Sequence, residues 1–121
     1  LNTLQEMTEN NCKLTVVCAV GYGGRDELVR TIKQISADVK NGIVSEDDIS
    51  EKLVDSYLDT AGIPNPDAIV RTSEKRISNF LLWQVAYSEM FFLDKLWPDF
   101  NEDDLRTIIN EFSQRKRRYG K

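Results

Sequence analysis

The sequence predicts an α/β fold in which a parallel sheet is flanked by helices. Three observations carry that expectation. "KLTVVCAV" (residues 13–20) is β-branched and almost continuously apolar, "DAIVR" (residues 67–71) is a second short apolar run, and two helical stretches lie between them. A strand that is apolar on both faces is one covered by helices on both sides, and the order strand, helix, helix, strand suits parallel pairing through a right-handed crossover.

Each element follows from local signals. After the first run, Leu28, Ile32, Ile35 and Val39 recur at the spacing of one helical face, and Gly42 closes that helix. Ser45 is placed to cap a second helix before "EDDI", with Ile49, Leu53, Tyr57 and Leu58 facing inward, and Pro64 and Pro66 stop it. Beyond residues 67–71, "ISNFLLWQVAYSEM" from Ile77 has the length of a helix and "FFLD" that of a third short strand. Pro98 breaks the chain, and Asn101 caps a last helix, "EDDLRTIINEFSQRKRR", whose acidic start and basic end complement its dipole. Leu105, Ile108, Ile109 and Phe112 form its inward stripe. No repeat or linker marks a second domain. Three short strands leave sheet edges that need cover, which predicts a larger fold or an oligomer.

Composition narrows the function. A net charge of −4 argues against a general nucleic-acid binder, and the absence of histidine removes the usual zinc patterns. Cys12 and Cys18 read as reduced thiols, with Cys18 in the core. No run of eighteen apolar residues occurs, and "LNTLQEMTENN" has neither the basic start nor the apolar stretch of a signal peptide. The expected location is the cytoplasm, with at most peripheral membrane contact.

Ligands of open α/β sheets bind outside the carboxyl ends of the strands, where this chain places "GYGGR" and "RTSEKRIS". The first lacks the spacing of either common phosphate loop, so a tight structural turn and a phosphate site both remain readings of it. The second joins Arg71, Arg76 and Ser78, two guanidinium forks and a hydroxyl, in a set suited to a phosphate or diphosphate. A solvated loop is the other reading.

"PDAIVRTSEKRISNFLLWQVAYSEMFFLDKLWPDF", with "YGGR" upstream and the terminal "RRYG", resembles the cis-prenyltransferases of the undecaprenyl diphosphate synthase type. The resemblance covers nearly the whole chain. It implies residues 1–121 as the C-terminal portion of a single domain, part of a larger cis-prenyltransferase-type fold. It also implies an enzyme that condenses isopentenyl diphosphate with an allylic diphosphate such as farnesyl diphosphate, using Mg2+ and Z geometry, to make polyprenyl diphosphate. By position, Arg71, Arg76, Ser78 and the backbone of Ile77 would hold isopentenyl diphosphate, and Glu89 would stand near the magnesium. Arg118 and Gly120 match a C-terminal RxG motif that reaches across a homodimer to the partner's site. The family's catalytic aspartate, in a "DGNGRWA"-like motif, would lie N-terminal of Leu1, so this segment alone is expected to be inactive.

Two features qualify that reading. Relatives commonly carry a glycine between the residues matching Ser73 and Glu74, and its absence here shortens the loop that aims Arg76 relative to Arg71. If Ser78 and Glu89 share one unbroken helix they lie roughly 16 Å apart, so Glu89 would serve another part of the site or the partner's site. The aromatic set Phe80, Trp83, Tyr87, Phe91, Phe92 and Trp97 is expected in core and dimer packing. Arg115, Lys116 and Arg117 read as a solvated helix end. The alternative function is a non-catalytic dimerisation subunit of a heteromeric enzyme.

Overall fold

Residues 2–116 are described by the computed structural model. Helix α1 (Asn2–Thr8) leads through an irregular segment into α2 (Gly24–Lys40), and α3 (Glu51–Tyr57) packs against α2. Strand β1 (Ala68–Thr72) pairs in parallel with β2 (Glu89–Leu93), in the register Ala68 to Glu89 and Arg71 to Phe92. Helix α4 (Glu102–Gln114) follows. The fold is therefore mixed helix and parallel sheet, as expected. Its described sheet has two strands rather than three.

Residues 13–20 form neither helix nor strand and are unpaired among the described residues, with Leu14, Val16, Val17 and Val20 largely exposed and both Cys12 and Cys18 at the surface. The core position expected for Cys18 is thus corrected. β-branched composition favours extended backbone, but a strand also needs a neighbour for its N–H and C=O groups. None is supplied by the described residues.

The helix expected from Ile77 over "ISNFLLWQVAYSEM" is also corrected: its last two residues, Glu89 and Met90, belong to β2. The crossover from β1 to β2 that precedes them is a series of turns. Ser78, Asn79 and Leu81 all take left-handed backbone, with φ of 49°, 62° and 48°. A right-handed helix cannot contain three such residues. Side chains from the crossover grip the elements around it instead. Trp83 Nε1 donates to Asp55 at 2.7 Å, Gln84 Nε2 donates to Thr60 Oγ1 at 2.9 Å, and the Ser88 hydroxyl donates to the Pro66 carbonyl at 2.6 Å.

Local signals fare better at the helix ends. Gly42 has φ of 71° just beyond α2, and its N–H returns to the Val39 carbonyl, the backbone that only glycine adopts without strain. Ser45 caps a single 3-10 turn (Glu46–Asp48), and Ser50 caps α3 itself. Asn101 opens α4 with a reciprocal capping box: its Oδ1 accepts from the backbone of Asp103 and Asp104, and Asp104 accepts from the Asn101 N–H.

Buried faces depart from the apolar stripes. On α2 the buried positions are Gly24, Glu27, Thr31 and Ile35, while Ile32 is exposed. On α4, Ile108 is buried and Leu105 and Ile109 are exposed. Of the six aromatic residues only Phe91 is buried; Tyr87 and Trp97 are each 64% exposed. Ile35, Leu58, Phe91 and Ile108 are the buried apolar side chains among the described residues, a small core for the chain's length.

Asp104 ties α4 to the loop before it. Lys95 Nζ donates to both its oxygens, at 2.6 and 2.7 Å. The Lys95 bond first, and then the Asn101 N–H, hold the Asp104 carboxyl below the usual aspartate range. It binds a proton more weakly in the folded state than in the unfolded one. The stability it adds is complete above the unfolded aspartate pKa and is lost as pH falls through the lowered folded value. Urea unfolding should separate wild type from Asp104→Asn at about pH 7, and the gap should narrow toward about pH 2.

Candidate diphosphate site

Arg71 leaves the carboxyl end of β1, and the chain turns sharply within two residues. The Ser73 N–H donates to Leu93 O, and the Glu74 N–H donates back to Thr72 O at 2.8 Å. With φ of 62° at Ser73, this is a γ-turn through left-handed backbone, an uncommon and strained geometry. It sets Glu74 between the two arginines. Arg71 Nη2 donates to Glu74 Oε2 at 2.6 Å. Arg76 donates through Nε to Oε2 at 3.0 Å and through Nη2 to Oε1 at 2.6 Å. The bond from Arg76, and then that from Arg71, hold the Glu74 carboxyl below its usual range. Two guanidinium groups thus converge on one anionic position at the carboxyl end of a parallel strand. Arg71 is half-buried and Arg76 exposed.

The GYGGR turn joins this loop through Asn79. The Gly24 N–H donates to the Asn79 carbonyl at 2.7 Å, and the Arg25 N–H donates to Asn79 Oδ1 at 2.9 Å. Gly23, the residue before α2, gives no side-chain cap, so Asn79 serves as one from 54 residues further along the chain. Two of the amides a phosphate could have met at this helix start are therefore already engaged. Gly24 permits the approach, because a Cβ there would stand 2.8 Å from Leu82 Cγ and 3.2 Å from Asn79 O. Tyr22 and Phe80 close the junction edge to face, 5.7 Å apart.

Behind it lies a buried polar cluster centred on Glu27, which is 1% exposed. Its carboxylate accepts from the Tyr22 hydroxyl, from the Asp59 N–H at 3.0 Å and from Gln84 Nε2 at 3.2 Å. Burial first, and then the Glu27 bond, push the Tyr22 phenol well above its ordinary range.

Of the positions singled out in the sequence, Arg71 and Arg76 are brought together. Ser78 is exposed two residues beyond Arg76, in left-handed backbone. The Ile77 carbonyl closes the following turn by accepting from Phe80 N–H. Glu89 opens β2, opposite Ala68. It is three residues along the paired strands from the position of Arg71, roughly 10 Å, toward the other end of the sheet. Its separation from the arginines thus comes from the parallel register and not from a helix. Arg118 and Gly120 lie outside the described residues.

Glu89 accepts from Arg115 Nη1 at 2.7 Å, and the Arg115 guanidinium lies 4.1 Å over the Phe91 ring. Magnesium takes several oxygen donors. Among the described residues no three acidic, cysteine or histidine groups gather to hold a metal ion. Glu89 offers a single carboxylate, paired here with Arg115, and magnesium is commonly held by one or two carboxylates together with substrate phosphates and water. A half-open cleft of about 520 Å³, lined in part by Asp55, Asp67, Trp83, Gln84 and Tyr87, contains none of Arg71, Arg76, Ser78 or Glu89. The chemistry of convergent arginines outweighs cavity size in placing the site. Sequence reasoning passed over Glu74, Asn79 and Glu27. The first could have been found as a carboxylate two and three residues from arginines, and the second as an asparagine able to take left-handed backbone.

Among curated proteins, the isoprenyl transferase of Chlamydia pneumoniae is 51% identical over all of this chain and 49% of its own length. That of Rhodopirellula baltica is 49% identical over 96% of this chain and 48% of its own length. The chain thus spans about half the length of the curated relatives it matches. A crystal structure of lavandulyl diphosphate synthase from Lavandula x intermedia, in complex with dimethylallyl diphosphate, matches 99% of this chain and 52% of its own. The TM-score is 0.91 at 36% identity. A probable undecaprenyl diphosphate synthase from Campylobacter jejuni gives a TM-score of 0.80 at 33% identity. The family profile of undecaprenyl diphosphate synthase matches residues 1–120, and the chain belongs to that prenyltransferase family.

Proposed function

We propose that this chain is the C-terminal half of a cis-prenyltransferase that condenses isopentenyl diphosphate with an allylic diphosphate such as farnesyl diphosphate, with Z geometry. The observation that carries the reading is the convergence of Arg71 and Arg76 on one anion at the end of β1, in a chain of prenyltransferase sequence. Their role is to position and neutralise the diphosphate of isopentenyl diphosphate, which holds its double bond in place for attack on the allylic carbon. Guanidinium groups neither donate nor take a proton in that step, since they stay charged throughout the working pH range. Ser78 adds a hydroxyl beside the clamp, and Ile77 adds backbone.

The allylic diphosphate, whose ionisation starts the reaction, sits elsewhere. The lavandulyl diphosphate synthase structure holds such an allylic ligand, dimethylallyl diphosphate, which supports the substrate class. For magnesium, Glu89 would supply one carboxylate donor, with the diphosphate oxygens and water completing the set. Unpaired residues 13–20 and the small core support a segment completed by the other half of the domain. Exposed Tyr87 and Trp97 suit a homodimer face, with Arg118 and Gly120 reaching the partner's site.

A direct test measures isopentenyl diphosphate binding to this chain by calorimetry and elongation by the full-length protein. The chain should bind, and the double variant Arg71→Ala with Arg76→Ala should not. Labelled isopentenyl diphosphate with farnesyl diphosphate and Mg2+ should give polyprenyl products from the full-length protein only. Elongation by the 121-residue chain alone would overturn the division of labour.

A further inference from the structure

Glu74 occupies the position its own neighbours prepare for a ligand. Its carboxylate accepts three charge-assisted hydrogen bonds, one from Arg71 and two from Arg76. No other acidic side chain is paired with either arginine among the described residues; Lys75, between them in sequence, turns away to Asp94 at 3.7 Å. The γ-turn at Ser73 is what directs Glu74 back toward Arg71, so the contact is built into the backbone rather than made by a loose surface side chain.

We propose that Glu74 is an internal competitor for the diphosphate, a carboxylate latch that holds Arg71 and Arg76 together when the site is empty and must swing out when the diphosphate binds. The proposal rests on the diphosphate reading of the two arginines. A carboxylate and a phosphate oxygen pair present the same planar acceptors to a guanidinium fork, so they compete for the same donors. The latch has two consequences. It keeps two like charges from repelling one another in the empty site, and it lowers the affinity for every anion that the clamp can take. Discrimination follows from the second. A single carboxylate or monophosphate replaces Glu74 with little gain, whereas a diphosphate brings more negative charge and more acceptor oxygens to the same two forks.

The test is titration of inorganic pyrophosphate into the chain, in wild type and in Glu74→Gln, Glu74→Ala, Glu74→Asp and Arg71→Ala with Arg76→Ala. With exposed and half-buried partners, removing the charge should tighten pyrophosphate binding about fivefold in both Gln and Ala variants. Glu74→Asp, which keeps the charge, should stay within about twofold of wild type. Binding that weakens or stays unchanged in Gln and Ala, while the double arginine variant loses it, overturns the latch and leaves the diphosphate reading intact. Equal tightening in Asp also overturns it, since the cause would then be loop shape and not charge. If the double arginine variant binds as well as wild type, or no variant binds, the diphosphate reading fails and the latch with it.

Discussion

Glu27→Ala is expected to lower the unfolding free energy by about 3 kcal/mol, as read by urea denaturation. Every atom that approaches this buried carboxylate is a donor: the Tyr22 hydroxyl, the Asp59 N–H and the Gln84 amide, which reaches both oxygens. Truncation leaves these donors inside the protein without their acceptor, and the cost of an unmet buried donor exceeds the modest net gain of a made bond. Gln84 retains Thr60 as a second partner, which limits the loss. Glu27→Gln keeps the shape but turns one acceptor into a donor facing donors, so it should cost about 1–2 kcal/mol. The effect reaches the site, because the same cluster joins α2 to the crossover that carries Asn79. Glu27→Ala should therefore also weaken pyrophosphate binding. A stability change below about 1 kcal/mol would mean that water replaces the carboxylate at little cost.

That cluster also marks where sequence pattern stops informing. An apolar count on α2 selects Leu28, Ile32, Ile35 and Val39, yet Glu27 is buried and Ile32 is not. A charged residue enters a core when partners distant in sequence satisfy it, and no periodicity reports those partners. The crossover is the same case at larger scale. "ISNFLLWQVAYSEM" is apolar and long enough for a helix, but its Asn79, Trp83, Gln84 and Ser88 are all committed to other elements. Tertiary contacts outweigh propensities of a few tenths of a kcal/mol per residue.

β1, β2 and the ends of α2 and α4 are legible because their signals are local. Short β-branched and aromatic runs, Gly42 at its positive φ and the Asn101 capping box each need only their neighbours in sequence. Residues 13–20 carry an equally clear strand signal and still form no strand, since pairing depends on backbone supplied from elsewhere. In the site, the pairing of Arg71 with Arg76 follows from "RTSEKR", but the carboxylate that joins them is visible only once the γ-turn is known.

Arg71→Ala in the full-length protein is expected to raise the KM for isopentenyl diphosphate about 100-fold, with a smaller change in kcat. Arg71 is the better-placed of the two arginines, with its side chain 30% exposed against 67% for Arg76. A charge shielded from water is screened less by salt and solvent, so its contact with a diphosphate is stronger. Arg76→Ala should therefore cost less, about tenfold, and that cost should shrink further at high salt. Arg71→Lys distinguishes charge from geometry. Lysine keeps the charge but presents a point in place of a planar fork, so it should recover only part of the affinity. Steady-state kinetics with isopentenyl diphosphate varied at saturating farnesyl diphosphate separates the two parameters. If kcat falls about 100-fold while KM stays fixed, Arg71 acts only in the transition state, and the diphosphate of isopentenyl diphosphate must be held by other residues.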